Sequence, residues 1–156
     1  MKKTIILGVG NPILGDDGVG LHVADELKKE IQDPDVEIDH AYTGGLNLVD
    51  MIMDHERAII IDAIQNRDQK PGEVNILPLR EISAFRSFNP HDVSFPQALK
   101  MAKKLGMMKR LPRDIKLVGI NLGQNPSEFS EKLSKEINSA IPRAVELVKK
   151  EVNEQE

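Results

Sequence analysis

Ile5-Ile6-Leu7-Gly8-Val9-Gly10-Asn11-Pro12-Ile13-Leu14-Gly15-Asp16-Asp17-Gly18-Val19-Gly20 is the stretch whose reading decides the fold. It opens as an apolar, β-branched run, the pattern of a buried strand. A loop dense in glycine and carboxylate follows. Beyond Gly18 the apolar residues fall at Val19, Val23, Ala24, Leu27 and Ile31, the spacing of one helix face. The segment predicts strand, glycine loop and helix, with two adjacent carboxylates at the turn into the helix.

A glycine loop between a strand and a helix is the phosphate-binding arrangement of Rossmann and P-loop sites. The residues argue against both. The third glycine of the dinucleotide fingerprint would fall at position 13, which is Ile13, and no Gly-Lys-Ser/Thr follows. Asp16 and Asp17 would also set two negative charges where a phosphate would sit. The simplest role for one of them is helix N-cap. That leaves the second as a candidate metal ligand or acid/base group.

The whole chain sets further bounds. At 156 residues, one domain spanning 1–156 is expected. The formal net charge of −4 gives no support for nucleic-acid binding. With no cysteine, disulfides, thiolate metal sites and a cysteine nucleophile are all excluded. That composition fits a reducing compartment, so a cytoplasmic location is expected. No apolar run approaches the ~18 residues of a membrane span, so no membrane insertion is expected. The start of the chain runs straight into the first strand without a cleavable signal pattern.

Taken in order, Thr4 to Val9 predicts a strand and Asp17 to about Ile31 a helix, ended by Asp33-Pro34-Asp35. Val36, Ile38 and His40 alternate as a second strand. A turn at Thr43-Gly44-Gly45 leads into a short helix carrying Leu46, Val49, Ile52 and Met53. Ala58 to Ile64 is the strongest strand, and it contains Asp62. After the Pro71-Gly72 turn, Val74 and Ile76 predict a fourth strand, pairing antiparallel with the third. Residues 81–94 form an irregular stretch that includes Phe85, Phe88 and His91. A helix with Phe95, Ala98, Leu99, Ala102 and Leu105 follows, with Pro96 in its first turn. Ile115 to Leu122 is the fifth strand. The last helix carries Ile137, Ile141, Ala144, Val145, Val148 and Val152, with Pro142 expected to kink it.

The resulting order, β-α-β-α-β-β-α-β-α, predicts a three-layer α/β/α domain. Its twisted five-stranded sheet is mostly parallel, with one antiparallel edge strand. Ligands of such sheets bind beyond the carboxyl ends of the strands. The loop after the first strand, with Asp16 and Asp17, and the end of the third, with Asp62, should share that edge. A carboxylate ending a buried strand is costly unless it is paired, coordinating, or bonded to loop N–H groups. His91 completes a set, Asp17, Asp62 and His91, with ligand types suited to a divalent cation. His22, His40 and His55 are expected to be structural or solvated. The basic run from Met101 to Arg113 predicts a solvated face, with contact to an acidic partner as the alternative.

Gly10-Asn11-Pro12-Ile13-Leu14-Gly15-Asp16-Asp17-Gly18-Val19-Gly20 resembles the signature of the hydrogenase maturation proteases. The resemblance continues through Gly44-Gly45, Ile60 to Ala63, Pro71-Gly72, Pro90-His91 and Leu117-Val118-Gly119-Ile120, covering essentially the whole chain in order. It implies a phosphorylase/hydrolase-like fold and an endopeptidase acting on the large-subunit precursor of a nickel-iron hydrogenase. By motif, it implies nickel bound by Asp17, Asp62 and His91. The nickel would be the ion already loaded in the precursor, and a short C-terminal extension would be removed after a basic residue. Asp16 is expected to cap the helix and support Asp17. A monomer is expected. Two other classes stay open: a metal-dependent hydrolase with a resident ion, and a non-catalytic metal- and precursor-binding module.

Overall fold

β1 (Thr4–Val9) is buried along its whole length. Alternate side chains of a strand point to opposite faces. Ile5, Leu7 and Val9 therefore enter one core and Ile6 the other. The computed structural model describes residues 3–42, 45–65, 68–78, 94–123 and 132–154. Its strands lie in the order β2 (Val36–Ala41), β1, β3 (Arg57–Ile64), β5 (Asp114–Asn121), β4 (Val74–Pro78). The first four are mutually parallel, and β4 runs antiparallel on β5, so the expected five-stranded, mostly parallel sheet is present.

Helices cover both faces. α1 (Val19–Glu30), the short α4 (Lys135–Asn138) and α5 (Ile141–Asn153) close one face. There Val19, Val23, Leu27, Ile137, Ala144 and Val148 meet Ile59, Ile61, Val118 and Ile120. α2 (Gly45–Ile52) and α3 (Phe95–Lys104) close the other. There Leu48, Val49, Ile52, Ala98, Leu99 and Ala102 meet the opposite face of the sheet. Each fully buried Leu or Ile is worth about 1.5–3 kcal/mol over its exposed state. α3 starts with a capping box between Ser94 and Gln97, and a proline sits in its first turn, where no N–H is missed.

α1 lies directly on the sheet because two glycines let it. A Cβ on Gly8 would stand 2.3 Å from the Gly20 carbonyl oxygen, and one on Gly20 would stand 2.4 Å from that of Ile61. This close approach brings the β1–α1 loop over the carboxyl ends of β1 and β3.

Three expectations need correction. β4 pairs with β5 and not with β3, because β5 takes the whole open edge of β3, from Arg57↔Asp114 to Ile64↔Asn121. The chain steps over that strand. Buried Asn121 secures the step, its Nδ2 donating to the carbonyls of Gln69 and Lys70 at 2.9 and 3.1 Å. Pro142 does not kink a long helix. The chain ends one helix at Asn138 and begins another at Ile141, with Pro142 in the first turn, where proline is favoured. Finally, α1 begins at Val19 after a 3-10 turn at Gly15–Gly18, and neither element has a side-chain cap.

Candidate active site

The loop from Gly10 to Gly18 closes on itself through its own polar groups. Asn11 Oδ1 accepts the N–H of Ile13 at 3.1 Å, and the Asn11 carbonyl accepts that of Leu14 at 3.1 Å. The Leu14 carbonyl accepts the N–H of Asp17 at 3.0 Å. Asp17 Oδ2 in turn accepts the N–H of Asn11 at 2.9 Å. The 3-10 turn thus carries Asp17 back under the loop, where it is buried with 8% of its surface exposed.

Asp62 occupies the carboxyl half of β3, opposite Gly119 of β5. Its Oδ1 accepts the N–H of Ala63 at 2.8 Å. Loss of solvent pushes its carboxyl well above the usual carboxylate range, and the nearby charge of Asp17 pushes it further. The Asp17 carboxyl is also raised by burial, with the Asn11 N–H opposing the rise. Both acids therefore resist ionisation, and among the described residues each accepts a single N–H. The topology does bring Asp17 and Asp62 to one edge, close enough to feel each other's charge.

Among the described residues, no three His, Asp or Glu side chains come together as a metal-holding group. His91, expected as the third member, lies outside the described residues, as do Gly44, Phe85 and Phe88. The other histidines have ordinary roles. His40 Nε2 lies 2.8 Å from Asp25 Oδ1 and His55 Nε2 lies 2.8 Å from Glu37 Oε2, while His22 is exposed on α1.

The chain as a whole is similar to known proteins. The profile of the family described as Hydrogenase maturation protease matches residues 21–151. The chain belongs to this family. The Hydrogenase 2 maturation protease of Escherichia coli (strain K12) is 30% identical to it over 121 residues, 76% of this chain and 72% of that protein. Similar solved structures include two named for hydrogenase maturation. The hydrogenase maturating endopeptidase HybD from E. coli aligns with a TM-score of 0.79 at 26% identity, covering 97% of this chain and 93% of that one. The NiFe hydrogenase maturation protease HybD from Thermococcus kodakarensis aligns with a TM-score of 0.68 at 27% identity, covering 95% and 97%. The chain is accordingly a hydrolase of the maturation endopeptidase type.

In this maturation protease Asp16 does not cap α1. Its Oδ1 accepts the backbone N–H of Ser134 at 2.6 Å. Ser134 is the N-cap of α4, its Oγ accepting the N–H of Ile137. Of the two adjacent acids, one faces inward beside Asp62 and the other ties the loop to a distant helix. Sequence reading missed Asn11 as the donor to Asp17. The Asn-Pro pair after the strand was a signal for an Asx-type turn. Three exposed apolar residues, Ile13, Tyr42 and Leu46, also stand at the carboxyl ends of β1 and β2.

Proposed function

We propose that this maturation protease removes a short C-terminal extension from the nickel-loaded precursor of a nickel-iron hydrogenase large subunit, with Asp17, Asp62 and His91 gripping the nickel that the precursor carries. The observation behind this reading is the meeting of two acids at one edge of the sheet, where loss of solvent raises both carboxyls and the charge of Asp17 raises that of Asp62 further. A divalent cation set against them removes that repulsion and favours the charged pair. Carboxylate and imidazole together suit nickel as donors.

A precursor tethered in this way binds only when it is metallated, and its nickel supplies positive charge beside the scissile bond. The protein's own contribution is orientation. The N–H of Asn11 holds Asp17 and that of Ala63 holds Asp62, so both acids are set before the precursor arrives. Ile13, Tyr42 and Leu46 offer apolar surface to the precursor at the same edge. The absence of cysteine suits the reducing cytoplasm, where the protease would act as a monomer.

The test is cleavage of a nickel-loaded large-subunit precursor beside the same precursor without nickel, read by mass spectrometry. Loss of a defined C-terminal peptide from the loaded form alone, abolished by Asp17→Ala, Asp62→Ala and His91→Ala, is the expected result. Cutting of both forms would indicate a hydrolase with its own ion. Metal-dependent binding without cutting would indicate a binding module.

A further inference from the structure

The sequence run from Lys100 to Arg113 holds Lys100, Lys103, Lys104, Lys109, Arg110 and Arg113 and no acidic residue, in a chain whose net charge is −4. The two arginines differ. Arg110 donates from Nε and Nη2 to the two carboxylate oxygens of Asp54 at 3.1 and 2.8 Å, and Arg113 lies 3.9 Å from Glu56. The four lysines are exposed and, among the described residues, have no ionic partner.

Through the same segment runs an apolar stripe. Met101, Leu105 and Met108 are 44%, 71% and 61% exposed. The core does not need them, because Ala98, Leu99 and Ala102 already supply the buried face of α3. The stripe is also held in shape. The N–H of Asp54 donates to the Arg110 carbonyl at 2.8 Å, and the N–H of Arg113 donates to that of Glu56 at 3.0 Å. Gly106 makes the bend between α3 and the 3-10 turn at Met108–Arg110 with φ of +82°. Arg113 leads directly into the start of β5. The surface therefore lies toward the amino ends of the parallel strands, away from the edge that carries Asp17 and Asp62.

We propose that this surface of α3 and the following turn docks an acidic, amphipathic segment of a protein partner, apolar side chains against Met101, Leu105 and Met108 and carboxylates against the four lysines. Charge complementarity selects an acidic occupant, and methionine adapts its shape to an apolar one. The same features disfavour other polyanions. Nucleic-acid surfaces use stacking aromatics or free guanidinium planes, whereas here Arg110 is tied to the Asp54 carboxylate and the stripe has no aromatic ring. Anionic bilayers are bound by wide amphipathic faces, and three side chains on a net acidic protein make a narrow one. The proposal does not depend on the nickel reading of the carboxylate edge.

The test uses the full chain and a fluorescent helical peptide with leucines along one face and glutamates beside them. Binding that weakens with added salt, and that falls about tenfold or more in the Leu105→Ser, Met108→Ser double variant, is expected. Lys103→Glu with Lys104→Glu should abolish it and confer binding to the matching leucine–lysine peptide. The Leu105→Ser, Met108→Ser variant should unfold with the parent, since both positions are exposed, and the charge reversal, in the last turn of α3, should lower the melting temperature by only a few degrees. Equal binding to a peptide with serines in place of leucines overturns the proposal. So does undiminished binding by the variants, or stronger binding to phosphatidylglycerol vesicles or single-stranded RNA than to the peptide.

Discussion

The Asp16 carboxylate and the Ser134 backbone N–H meet at 2.6 Å across 118 positions of sequence. The contact fastens the turn that carries Asp17 to the start of α4. A hydrogen bond to a charged acceptor is worth about 1.5–3 kcal/mol when shielded and less when partly solvated, as here. Asp16→Ala should lower stability by about 1 kcal/mol, measured as a shift in the urea midpoint at unchanged slope. Asp16→Asn, which keeps an acceptor oxygen, should recover part of it. If Asp16→Ala unfolds at the parental midpoint, the contact does not hold the loop.

The raised Asp62 carboxyl makes a pH-dependent prediction for the metal-free protein. In the unfolded chain the group returns to about 3.9. Between that value and the higher folded one, the native state holds a proton that the unfolded chain has released. The stability contributed by this proton is complete below the unfolded pKa and is lost as pH rises through the folded pKa. Asp62→Asn cannot ionise and keeps an oxygen for the Ala63 N–H. It should therefore melt higher than the parent at neutral pH, by about 2–4 °C per kcal/mol gained, and the gap should close toward acidic pH. Asp17→Asn should act in the same direction. A gap of constant size across that range would sink the idea.

Nickel should reverse this penalty. Added to the metal-free protein, it should raise the melting temperature and release protons as the acids ionise. Calorimetric titration in two buffers of different ionisation enthalpy counts those protons. Asp17→Asn and Asp62→Asn should each remove both effects. Persistence of either effect in both variants would place the metal elsewhere.

Gly8→Ala should be severe, because its Cβ would stand 2.3 Å from the Gly20 carbonyl oxygen and 2.7 Å from the Ala24 Cβ. Overpacking of this kind costs about 1–3 kcal/mol or more, and here it lifts α1 from the sheet. Gly106→Ala has open space around its Cβ and strains only the backbone. It should cost less, near about 1 kcal/mol. Denaturant midpoints of the two variants decide the ranking.

The apolar run of β1 was legible because it offers no polar face to water, so burial on both sides followed from its composition. The period of Val19, Val23 and Leu27 likewise determined which face of α1 is buried. The common edge of Asp17 and Asp62 followed from connectivity, since loops after parallel strands emerge at the same end. Other features had no local signature. Adjacency in the chain pointed β4 at β3, but strand pairing is a competition between edges, and β5, arriving later in sequence, takes that edge whole. Pro142 reads as a kink within a continuous apolar period and becomes a helix start only once the chain breaks at Ser139 and Ala140. Asp16 and Asp17 are indistinguishable as neighbouring letters. Their opposite fates, one reaching Ser134 and the other buried beside Asp62, were decided by tertiary structure alone, because desolvation and long-range hydrogen bonds depend on what the rest of the chain packs around each carboxylate.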